Sequence, residues 1–150
     1  MIMPRFFMWL AAAIVIAAPA SAQDQSGAID AAEHNEAFKA GWMIGVTPQS
    51  VDEMLGCSAL WGRWVYAVES AGDPTFAKNL DPELSVANAR KRSAHWLRMA
   101  RRAQGEISSS NRFDEYKAAA EAEADKYYSA YASGNVKAFD SMMELLGICR

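Results

Sequence analysis

The chain has 150 residues, 51% of them apolar, with 15 Lys and Arg against 18 Asp and Glu for a net charge of −3. That is enough chain for one domain with a real core, and too acidic for a general nucleic-acid binder, which is usually basic over its whole domain. The two cysteines and two histidines (His34, His95) show none of the close Cys-x-x-Cys or His-x-x-x-His pairings that hold zinc, nor a haem-attaching Cys-x-x-Cys-His, so no metal or cofactor is expected.

The first element is a leader. Met1 to Arg5 carries one positive charge, Phe6 to Ala18 is an unbroken apolar run, Pro19 breaks it, and Ala20-Ser21-Ala22 has the small-x-small form of a signal-peptidase site. The run is shorter than the roughly 20 apolar residues a membrane-spanning helix needs. Residues 1–22 are therefore read as a signal peptide, and residues 23–150 as a single exported domain, periplasmic or secreted, with no integral membrane segment after cleavage.

Gly and Pro clusters divide the mature chain into helical pieces, and no segment shows the sustained two-residue alternation of a strand. Ile29 to Ile44 reads as a first helix stopped by Gly45. Thr47-Pro48, with Ser50 and Glu53 spaced as a capping box, opens a second that runs to about Ser70 and is ended by Gly72-Asp73-Pro74. Asp81-Pro82-Glu83 opens a third, reaching about Ala103 before Gly105. Ser109, Ser110 and Asn111 cap a fourth, Arg112 to Ala132, and Val136 to Leu146 forms a last short helix after Ser133-Gly134-Asn135. The expected fold is all-α: a small bundle of four to five helices.

The helical faces follow from 100° steps. On the second helix Val51, Met54, Leu55, Cys57, Ser58, Trp61, Trp64, Val65 and Val68 cover about half the circumference, which marks the central helix of the bundle. On the third, Val86, Ala89, Ser93, Trp96, Leu97, Ala100 and Ala103 share one arc, with Lys91, His95, Arg98 and Arg102 opposite. On the fourth, Phe113, Tyr116, Ala120, Ala124, Tyr127 and Tyr131 lie together, away from Asp114, Glu121 and Asp125.

In an exported chain two cysteines point to a disulfide. Leu55-Gly56-Cys57 lies too deep in the chain to be a lipid-attachment site, so Cys57 is expected to pair with Cys149, closing a loop of about 90 residues at a gain of roughly 4 kcal/mol.

The most concentrated charge is the stripe Lys91, His95, Arg98 and Arg102, with Arg90 and Arg92 beside it. It reads either as the solvated back of an amphipathic helix, free or paired with the acidic face of the fourth helix, or as a docking face for an anionic partner such as an envelope protein. The aromatic residues Trp42, Trp61, Trp64, Trp96, Tyr127, Tyr128 and Tyr131 read as core before they read as a ligand pocket. Ser58, Ser93 and Ser108 to Ser110 lie in no nucleophile elbow.

One carboxylate invites a catalytic reading. In "YAVESAGDP", Tyr66 to Pro74, an apolar helix ends in Glu-Ser before a Gly-Asp-Pro turn, and this resembles the start of the catalytic region in soluble lytic transglycosylases and related lysozyme-like enzymes. The resemblance implies that Glu69 is a general acid for glycosidic cleavage, a role that needs a raised pKa in a partly apolar setting. The Gly-Ala-x-Gly-Leu-Met-Gln type segment that builds the sugar cleft in those enzymes is replaced here by "TFAKNLDPELSVANARKR". The leading expectation is accordingly a non-enzymatic binding or interaction protein of the cell envelope, and the alternative a peptidoglycan-active glycosidase using Glu69.

Overall fold

The computed structural model describes residues 20–105 and 110–150, without the side chains of 20–26, 28–29 and 110–111. All but the last few residues of the expected signal peptide thus lie outside the described residues, as do Ser108 and Ser109. Six α-helices and one 3₁₀ turn make up the fold, with no strand among the described residues: α1 Ala20–Met43, α2 Val51–Ala71, α3 Pro74–Asn79, the 3₁₀ turn Pro82–Leu84, α4 Val86–Gly105, α5 Ser110–Ala132 and α6 Val136–Ile148. The all-α class is as expected, but the described residues form six α-helices rather than four to five.

The extra helix is α3. Gly72, at φ +64°, ends α2 as expected, but Asp73-Pro74 also begins a new helix: the Asp73 carboxylate accepts from the backbone N–H groups of Thr75 at 2.8 Å and Phe76 at 3.1 Å, and Pro74 sits at the first helical position. Asp81-Pro82 opens only a 3₁₀ turn. Ser85 then precedes α4, its carbonyl accepting from the N–H of Ala89 at 2.8 Å. The capping box of α2 forms as its spacing implies, Ser50 Oγ accepting from the Glu53 N–H and the Glu53 carboxylate from the N–H groups of Ser50 and Gln49.

α1 starts nine residues before the expected Ile29, so the expected cleavage position after Ala22 falls in its first turn in the full-length chain. Two glycines inside it permit close approaches. A Cβ at Gly27 would lie 2.3 Å from the Asp73 carboxylate, and one at Gly41 would lie 2.1 Å from the carbonyl oxygen of Glu144. Gly147 answers from α6, where a Cβ would stand 2.3 Å from the Phe38 carbonyl. The backbones of α1 and α6 therefore touch at a crossing that only glycine allows.

α2 is the central helix, packed on α4, α5 and α6, while α1 packs on α3 and α6. The core holds Trp61 and Trp64 without solvent exposure, with Phe38, Leu55, Leu84, Met142, Met143 and Leu146 around them. Each buried indole finds a partner for its N–H, as burial requires. Trp64 donates to the Leu84 carbonyl at 2.8 Å, and Trp61 and Trp96 both donate to the Cys149 carbonyl at 2.7 Å.

The Cys57–Cys149 disulfide joins α2 to the end of α6 across 92 residues, its Cα atoms 5.4 Å apart. Arg150 extends this anchorage: it donates to the Trp42 carbonyl at 2.8 Å and lies over the Trp42 ring at 5.1 Å.

Candidate functional site

α4 is the most polarised element of the chain. Its 20 residues hold six of the 15 Lys and Arg and none of the 18 carboxylates. The apolar arc Val86, Ala89, Trp96, Leu97, Ala100 and Ala103 turns toward α2, and there Ser58 and Ser93 lock the two helices together, each hydroxyl donating to the other residue's carbonyl, at 2.9 and 2.8 Å. The opposite face is fixed outward as a result. Lys91, His95, Arg98, Arg101 and Arg102 are all exposed on it.

Partners for these charges decide between a solvated face and an internal ion-pair seam. Arg90 is bound, donating to the Glu69 carboxylate at the end of α2. Lys91, Arg92, Arg98, Arg101 and Arg102 have no ion-pair partner among the described residues. The acidic face of α5, the neighbour considered from sequence, instead sends Asp125 to Arg63 of α2, which holds the Asp125 carboxyl below its ordinary pKa. From Lys91 to Arg102 the free cations run about 16 Å along the helix, at 1.5 Å per residue.

Glu69 does not lie in an apolar pocket. Its side chain is about half exposed (49%) and engaged by Arg90, two residues before α2 ends. A general acid of the resembled type sits in a partly apolar setting, which this exposed position does not supply.

The aromatic residues divide rather than converge. Trp61, Trp64 and Trp96 are core, Trp42 is partly exposed beneath Arg150, and Tyr127 and Tyr131 border two different concavities. Tyr128 packs against Tyr66.

The residue that sequence reading left without a role is His34. It is buried, surrounded by the rings of Trp64, Phe76, Tyr131 and Phe139, and bonded at both nitrogens: Nδ1 to the Asp30 carbonyl at 2.6 Å and Nε2 to the Tyr131 hydroxyl at 2.9 Å. Its signal was present in the spacing Ala31, His34, Phe38, three buried residues on one face of α1.

Among the described residues no group of three or more His, Cys, Asp or Glu is placed to hold a metal ion, and no helix is long and apolar enough to cross a membrane. Compared with protein-family models, with curated proteins and with solved structures, the chain matches none.

Proposed function

We propose that this chain is an exported, non-enzymatic binding module of the cell envelope that docks an anionic partner on the outer face of α4. The observation that carries this reading is the segregation of charge. Five cations stand together on one helix without a carboxylate among the described residues to neutralise them, in a protein that is acidic overall. Such a face attracts negative charge and repels the protein's own cationic equivalents, so it selects partners by sign before contact. The leader-like N-terminus and the disulfide fit an oxidising compartment outside the cytoplasm.

The experiment is capture from envelope extract by the wild type and by an Arg98→Glu/Arg102→Glu variant. Both positions are exposed and make no ion pair among the described residues, so the variant should melt with the wild type. A partner held by the wild type at low salt, released as salt rises and lost in the variant, is the expected result. Equal capture by both proteins would overturn the α4 reading.

A further inference from the structure

A second feature lies on another side of α2, where α2, α5 and α6 border a half-open cavity of about 540 Å³ beside the disulfide. Its inner wall is apolar, made by Leu60, Ala120, Ala124, Leu145 and the two half-cystines. Its remaining border carries Tyr116 and Tyr127 and three carboxylates, Asp52, Glu53 and Glu123. Among the described residues no Lys or Arg lines it. The volume falls in the range of small-molecule sites, roughly 300–1,000 Å³.

One glycine shapes the wall of this cavity. Gly41 and Gly147 are needed for backbone contact, Gly27 for its approach to the Asp73 carboxylate, and Gly45, Gly72 and Gly134 for a positive φ. Gly56, like Gly62 and Gly105, has neither reason: it sits in the second turn of α2, and a Cβ built there would meet nothing within 4 Å. A glycine inside a helix lowers its stability, and here it leaves the cavity wall bare. Ala119, Ala120 and Ala124 keep the facing wall of α5 equally low.

We infer that this cavity is a binding site for a small molecule with an apolar body and a cationic head, an alkyl or aryl ammonium. The body would lie against Leu60, Leu145 and the alanines, where burial of apolar surface supplies the attraction. The head would remain among Asp52, Glu123 and the Tyr116 and Tyr127 rings, which offer carboxylates and π faces to a positive charge. Glu53 contributes field rather than a free acceptor, because its carboxylate already accepts from Ser50 and Gln49. Glu123 is exposed and reaches Lys126 at 2.8 Å, a surface pair that a ligand cation can displace at little cost.

Decyltrimethylammonium and decyl sulfate, both well below their micelle-forming concentrations, share an apolar chain and differ in the sign of the head. Calorimetric titration of the intact, oxidised protein should show the cation binding about tenfold more tightly than the anion, the scale of a few partly exposed charge contacts. Gly56→Leu should abolish binding while leaving the melting temperature at or above that of the wild type, since the new side chain enters open space. Asp52→Asn/Glu123→Gln, on exposed positions, should retain the fold and erase most of the tenfold preference. Failure of the cation to bind, equal affinity for both heads, or a folded Gly56→Leu variant that binds as well as the wild type would each overturn the assignment.

Discussion

His34 and Tyr131, 97 residues apart in sequence, form a hydrogen-bonded pair between α1 and α5 in which the direction of the proton is fixed. Nδ1 faces a carbonyl oxygen, which only accepts, so Nδ1 carries the hydrogen and Nε2 is the acceptor of the Tyr131 hydroxyl. Burial lowers the His34 pKa below its ordinary 6.5, against the opposing pull of the Asp30 carbonyl and of the Asp30 and Glu33 charges. Burial also pushes the Tyr131 hydroxyl up to about 12, which keeps it a neutral donor.

Stability should therefore fall on mild acidification. The unfolded chain takes up a proton at His34 near pH 6.5 while the folded chain resists it, so below that pH the unfolded state binds more protons and is favoured. The contribution is fully present above about pH 6.5 and is lost as pH falls toward the depressed folded value. Melting curves at pH 7.5 and 5.5 should show the wild type losing stability and His34→Gln losing less. Asp125 and Glu53, whose pKa values are lowered, act only at more acidic pH. Equal losses in both proteins would exclude His34 as the source.

Glycine substitutions should divide by sign. Gly56→Ala should stabilise by about 0.5–1 kcal/mol, because it removes backbone freedom from α2 and meets nothing. Gly41→Ala and Gly147→Ala place a methyl group within van der Waals overlap of a facing backbone, and each should cost about 1–3 kcal/mol or more as α1 and α6 are driven apart. Denaturant midpoints of the three variants check both signs at once.

Reduction of the disulfide should lower stability by about 4–5 kcal/mol on the loop-entropy scale, since Cys57 and Cys149 close a long loop. Trp96→Phe should cost about 1 kcal/mol through the lost bond to the Cys149 carbonyl, with Trp61 still holding that oxygen. Unfolding of the oxidised protein, the reduced protein and the Trp96 variant measures the two contributions separately.

Glu69→Gln should leave the protein folded, because the carboxylate it removes takes part in one exposed ion pair with Arg90, worth about 0–1 kcal/mol. Neither it nor the wild type is expected to clear peptidoglycan in a zymogram. Clearing by the wild type that disappears in Glu69→Gln would establish the glycosidase reading instead of the binding one.

The parts legible in sequence were those set by local chemistry. Ser50 and Glu53 announced the start of α2, the arc from Met54 to Val68 announced its central place, and the charged back of α4 is exposed where its 100° spacing put it. What escaped depended on partners distant in the chain. Asp73-Pro74 reads equally as an end and as a beginning, and only its bonds to Thr75 and Phe76 show that it is both. The N-terminal extension of α1 lacks apolar periodicity, and the close approach of Gly27 to Asp73 joins residues distant in the chain. The cavity by the disulfide belongs to no single segment: it is the space α2, α5 and α6 leave between them, and Gly56 was its one mark in the sequence.

The carbonyl shared by Trp61 and Trp96 belongs to Cys149, so the inner helices obtain their last hydrogen-bond acceptor and their covalent tie from the same late-made residue. A nascent polypeptide emerging from its N-terminal end holds two indole N–H groups and a thiol in waiting until residue 149 is delivered. Final compaction is thereby postponed until synthesis has passed that point.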